Sequence, residues 1–162
     1  VTDETAGAGE DAVAPALEFF ATITALIEEP IEIGQMKTGR KRVIPISGGS
    51  IVGPEISGHV LPGGADFQTI RSETVTEVVA KYAFELIDGE HIEIENVGIR
   101  TASAEDAAAL ADGEAVPPER VYFRCVPSLV GSGKWDWVDE VIFVGSGRRY
   151  PDRVEVDVFI VR

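Results

Sequence analysis

Residues 48–68 read GGSIVGPEISGHVLPGGADFQ, and six of these residues are glycine. Two are proline, and an acidic residue, Asp66, sits near the end beside Phe67 and Gln68. Glycine at this density marks places where a backbone bends sharply or takes a positive φ. The bends are separated by short β-branched or aliphatic runs, Ile51-Val52, Ile56 and Val60-Leu61. That is the pattern of a small, strongly curved sheet whose strand corners are eased by glycine.

The flanking sequence agrees. Upstream, residues 17–27 alternate, with Leu17, Phe19, Ala21, Ile23, Ala25 and Ile27 on one face. This is a strand by period. Residues 34–41 are polar and read as a loop, and residues 43–46 as a short strand carrying Pro45. Downstream, residues 68–87 form one long β-favouring run, and Asp88-Gly89 marks a hairpin into Ile92 and Ile94. Ser103 caps an alanine-rich helix that Gly113 ends and Pro117-Pro118 forbids from continuing. Residues 121–126, 135–144 and 154–161 read as three more strands, with turns at Gly145-Ser146-Gly147 and Tyr150-Pro151-Asp152. Strands do not alternate with helices, which excludes a parallel α/β sheet. The expected fold is all-β: an antiparallel β-barrel of about eight to ten strands with one short helix, because closure removes exposed edges. Residues 1–16 are small, acidic and aperiodic and read as a disordered leader, leaving residues 17–162 as one barrel domain.

Charge narrows the function classes. The chain has 28 acidic against 14 basic residues, a net charge of −14. This argues against nucleic acid and against anionic membranes as partners. One cysteine, Cys125, allows no internal disulfide and fits a reducing cytoplasm. No signal peptide and no membrane-spanning run are expected. His59 and His91 lie in no metal spacing, so no metal is expected. Gly131-Ser132-Gly133-Lys134 lacks the upstream glycine and the trailing Ser or Thr of a phosphate loop. No cofactor motif is found, and no cofactor is expected.

The combination Gly39 and Arg42 with Ile44-Pro45-Ile46, Gly48-Gly49, Gly53-Pro54, Gly58, Leu61-Pro62-Gly63-Gly64-Ala65-Asp66, Tyr82, Asp88-Gly89, Asn96, Gly98, Tyr122-Phe123-Arg124 and Trp137 through Gly145 resembles a bacterial and fungal family known only as a domain of unknown function. Phe67 stands where that pattern carries Trp, and Asp139 where it carries an amide. The resemblance implies a small antiparallel barrel, often homo-oligomeric, with a pocket for a small organic molecule. It implies no particular reaction.

Candidate site residues follow from strand parity. Asp66 and Gln68 share a face. A carboxylate beside an amide inside a barrel can bind a hydroxyl or carbonyl and move a proton. Alternatively, Asp66 ties down the Pro62-Gly63-Gly64 turn. Arg124, with Tyr122 on the same face, can hold a carboxylate or enolate; equally, it can pair with one of the chain's acids. Tyr82 and Trp137 are candidate pocket walls or plain core, and His59 is a candidate cavity residue. The expected function is binding of a small, mostly apolar oxygenated molecule, with cofactor-independent acid/base chemistry on it: isomerisation, cyclisation or a lyase step. Asp66, Arg124 and Tyr122 would be catalytic; Gln68, Tyr82, Trp137 and His59 would bind ligand. The alternatives are a non-catalytic carrier or sensor and a structural, side-chain-filled oligomeric barrel.

Overall fold

Ten strands form one antiparallel sheet in the computed structural model, which describes residues 9–162. The strands are β1 (Leu17–Ile27), β2 (Ile31–Met36), β3 (Gly39–Val52), β4 (Ser57–Val60), β5 (Gly64–Ile70), β6 (Val75–Leu86), β7 (His91–Thr101), β8 (Tyr122–Gly131), β9 (Phe143–Arg149) and β10 (Arg153–Val161). Helix α1 (Ala104–Ala111) lies between β7 and β8. The sheet runs β1-β10-β9-β8-β7-β6 and returns through β4 and β5 to β3, which pairs with β1 and closes the barrel. β4 and β5 share one slot between β3 and β6. β2 pairs with β3 as an outlying hairpin arm. The result is a closed eight-stranded barrel with two extra strands and one short helix.

Closure depends on the opening glycines. β3 runs unbroken through Gly48 and Gly49, and Gly49 pairs with Ala25 of β1 at φ +131°. A Cβ there would overlap the Thr24 carbonyl oxygen. Only glycine allows this approach without moving a strand.

Several elements differ from the sequence reading. In β1 the register shifts between Phe19 and Ala21, so Leu17 and Phe19 are exposed while Phe20, Ala21, Ile23 and Ala25 are buried. A bulge inserts one residue and flips the parity. Residues 34–41 are not a loop but the β2–β3 hairpin. The run 68–87 breaks at residues 71–74, where Arg71 and Ser72 N–H groups donate to the Val75 carbonyl. Residues 133–139 form a 3-10 helix rather than a strand, burying Trp135 and Val138 three positions apart. Gly145-Ser146-Gly147 is the middle of β9, not a turn. Of the expected leader, residues 1–8 lie outside the described residues. Ala16 already exchanges hydrogen bonds with Arg162.

The barrel interior has two halves. At the end closed by the 3-10 helix, Phe20, Ile23, Phe84, Ile92, Ile94, Val138 and Phe143 pack as an apolar core. At the end covered by α1 the lining turns polar: Arg42, Gln68, Thr76, Arg100 and Arg149 are all buried. Among the described residues, no helix is long and apolar enough to cross a membrane.

Candidate functional site

Strand register builds the polar half. Ile44 of β3, Asp66 of β5, Ala80 of β6 and Asn96 of β7 lie in one cross-strand row. Arg42 and Gln68 form the next pair toward α1, and Thr76 and Arg100 a further one. Inward residues recur every second position, so Ile92 and Ile94 on β7 predict Asn96 and Arg100 beyond them. Arg149 ends β9 opposite Val154.

These rows enclose a cavity of about 30 Å³ lined by Asp66, Tyr82, Asn96, Arg100 and Arg149 among apolar walls of Ile44, Ile46, Val78, Phe123, Val154 and Val156. A water needs roughly 10–15 Å³ by this measure, so the space suits about two waters or a small functional group. The barrel is therefore mostly filled, with a hollow beside Asp66, the one carboxylate among the described residues that lines it.

Asp66 is held from two sides. The Val79 backbone N–H donates to Oδ1 at 3.2 Å and Gln68 Nε2 to Oδ2 at 3.0 Å. Burial pushes its carboxyl above the ordinary aspartate range, and this outweighs the lowering by Gln68, Arg100, Val79 N–H and Arg149. The Pro62-Gly63-Gly64 turn takes no part in these bonds, so the turn-anchoring alternative gives way to a bond across the sheet. Burial also raises the Tyr82 phenol, with Cys125 and Asp66 contributing. Among the described residues, Asn96 Oδ1 is buried without a hydrogen-bond partner.

Two guanidiniums, Arg100 and Arg149, complete the lining, and Arg42 lies beyond them in the cleft beneath α1. Burial lowers the Arg100 pKa to about 10, with Arg149 and Arg42 adding to the effect and Asp66 opposing it. Arg42 and Arg149 are lowered as well, burial again first. Arg42 Nη1 donates to the Ala111 carbonyl at 3.2 Å, at the C-terminal end of α1, while its Nε is unpartnered. Arg149 Nη1 donates to the Tyr150 carbonyl.

The structure brings Asp66, Gln68 and Tyr82 together and separates the rest of the expected set. Tyr122 is 56% exposed and carries Arg124 stacked on its ring at 5.3 Å, both on the outer face of β8. The inward residues of that strand are Phe123, Cys125, Pro127 and Leu129. The arginines that line the cavity are Arg100 and Arg149, which the sequence reading missed. His59 is also on the outside, 3.9 Å from Glu85. Trp137 packs edge-on against Phe20 at 6.0 Å at the far end of the barrel and does not line the cavity.

Fold and site define a closed antiparallel barrel with a half-buried acid on a hollow that two arginines line. Residues 15–161 match the family described as "Protein of unknown function (DUF3237)", and the chain belongs to it. The resemblance read from the sequence therefore holds. The UPF0311 protein RPA1785 of Rhodopseudomonas palustris is 46% identical over 147 residues, 89% of this chain and 96% of that one. Its crystal structure matches with a TM-score of 0.88 at 42% identity, covering 93% of this chain and 100% of that one. A protein of unknown function from Clostridium acetobutylicum matches at 0.85 and 37%, covering 94% and 100%. A β-barrel-like protein from Acinetobacter baumannii matches at 0.81 and 29%, covering 94% and 99%.

Proposed function

We propose that this barrel binds a small, mostly apolar oxygenated molecule in the cavity beside Asp66 and moves a proton on it. The reaction class is isomerisation, cyclisation or a lyase step, driven by the chain's own acid/base groups. One observation carries the reading: a carboxyl whose pKa is raised by burial faces an enclosed hollow that the phenol of Tyr82 also lines. A general acid or base works best when its pKa lies near the working pH, and burial is the usual way to raise a carboxyl toward it. Tyr82 then donates to the substrate oxygen on which charge develops. The apolar walls exclude water from the reacting functional group, which is what a hollow of about 30 Å³ takes, and the remainder of the molecule extends toward the cleft beneath α1.

The test is deuterium exchange. Small enolisable ketones such as cyclohexanone are incubated with the protein in D2O, and loss of the proton beside the carbonyl is followed by NMR. Wild-type protein accelerates exchange above the buffer rate, and Asp66→Asn returns it to that rate while still folding. Binding without acceleration would favour the carrier reading and sink the catalytic one.

A further inference from the structure

The proton-moving reading leaves three buried cations unexplained. Arg42, Arg100 and Arg149 are 4%, 8% and 7% exposed. The carboxylates that act on them are few. Asp66 faces all three. Glu32 is engaged by Arg40 through two bonds of 2.7 and 2.9 Å. Asp152 is engaged by Arg153 at 2.9 Å, and Glu28, Glu29, Asp112 and Asp152 line the outer cleft that Arg149 also reaches. Arg42 and Arg149 thus have further acids toward the outside, Asp112 and Asp152 among them, whereas Asp66 is the one carboxylate among the described residues that acts on Arg100. The Arg100 guanidinium lies over the Phe123 ring at 5.9 Å.

This arrangement runs against the chain's composition. With 28 acidic and 14 basic residues, the protein has acid to spare. Yet the acids lie outside while unpaired cations lie within. Burying a charge without a partner is costly, and a site that keeps such a cost has an anion to bind. The guanidinium is a planar fork of donors that matches a carboxylate with two parallel bonds. The walls around it are apolar, and the hollow of about 30 Å³ is small. A flat carboxylate fits that space better than a tetrahedral phosphate. Arg100 also lines the outer cleft beneath α1 together with Arg42, Thr76, Ala104 and Ala108. That cleft gives an anion a route to Arg100 from solvent.

We propose that the cavity is a carboxylate site: the anionic group of a small, otherwise apolar organic acid binds Arg100, with Arg149 on the same lining and Arg42 at the cleft through which it enters. The inference rests on the proton-moving reading of the same cavity and names the substrate class for it. The carboxylate is anchored at the arginines, and the reacting carbon lies toward Asp66 and Tyr82.

Calorimetry and thermal melting on the full chain test it with benzoate, acetate, benzamide and inorganic phosphate. Benzoate raises the melting temperature and binds at least tenfold tighter than benzamide, its neutral isostere, and tighter than phosphate. Arg100→Gln weakens benzoate at least tenfold, Arg100→Lys less, and the outward Arg124→Gln not at all. Asp66→Asn removes a competing negative charge and keeps or tightens benzoate binding. Equal binding of benzamide, preference for phosphate, indifference to Arg100→Gln, or no binding of either carboxylate overturns the proposal. If Arg100→Gln does not fold, Arg100→Lys and the benzoate–benzamide ratio still decide. Failure here leaves Asp66-dependent ketone exchange standing, whereas failure of the exchange leaves benzoate binding standing.

Discussion

Gln68 Nε2 donates to Asp66 Oδ2 across 3.0 Å, from two positions along the same inner face of β5. Both side chains are inward because a strand returns to the same face every second residue. The amide and the Val79 N–H fix the carboxyl plane and occupy one direction on each oxygen. Gln68 is thus a positioning residue for Asp66 rather than a wall of the cavity.

Replacing Gln68 by Leu removes the largest of the effects that lower the Asp66 pKa. Asp66 then titrates at higher pH. The check is a carbon-13 titration of the aspartate carboxyls alongside the pH profile of ketone exchange. Both move upward together. A merely structural role for Gln68 would lower stability and leave the pH profile in place.

Asp66→Asn has a stability consequence whose sign follows from linkage. An acid whose folded pKa lies above its unfolded value stabilises the fold at pH below the unfolded value. That contribution is lost as pH rises through the folded pKa. Asp66 is such an acid. Asparagine carries no charge to bury, and its carbonyl still accepts from Val79 N–H. The stability of Asp66→Asn relative to wild type therefore increases from pH 4 to pH 7, as read by urea denaturation at each pH. A deficit that is the same at both pH values would assign Asp66 a purely structural role.

The barrel was legible because its closure depends on local chemistry. The glycine-rich stretch, the Asp88-Gly89 hairpin at φ +86° and the Ser103 cap, which accepts from Asp106 N–H, all act within a few residues. Parity was legible along β5 and less so on β8. There, the apolar series Phe123, Cys125 and Leu129 marks the inner face, and Tyr122 and Arg124 take the other. An arginine beside an aromatic looks like a site by composition, but the face decides its use. Arg100 lies on the parity of Ile92 and Ile94, a signal present in the sequence. That its charge meets Arg42 and Arg149 depends on β3, β7 and β9 converging, which no local pattern encodes. The 3-10 helix at Gly133–Asp139 was hidden for a similar reason. Trp135 and Trp137 mimic strand alternation, whereas burial selects Trp135 and Val138.

Gly147 carries a prediction from the same misread segment. It sits within β9, and a Cβ there would meet the Phe123 ring at 2.7 Å. Phe123 forms a wall of the cavity and carries Arg100 over its ring. Gly147→Ala must push that ring aside. Overpacking of this kind costs about 1–3 kcal/mol, measurable as a lower urea midpoint. Benzoate affinity falls in the same variant because the ring moves toward Arg100. An unchanged midpoint would show that Phe123 has room to yield.

Tyr82 and Trp137 separate chemistry from packing. Both are aromatic and both were candidate walls, but only Tyr82 borders the cavity. Tyr82→Phe keeps the ring that packs on Phe84 at 5.4 Å, so the melting temperature stays close to that of the wild type. If the hydroxyl steadies charge on a substrate oxygen, exchange falls by about a hundredfold. Trp137 instead packs against Phe20 and Phe143 at ring distances of 6.0 and 6.4 Å. Trp137→Ala costs about 3 kcal/mol through the void it leaves and does not alter the exchange rate per folded molecule. The opposite pattern, a silent Tyr82→Phe and an inactive but stable Trp137→Ala, would move the active hollow to the other end of the barrel.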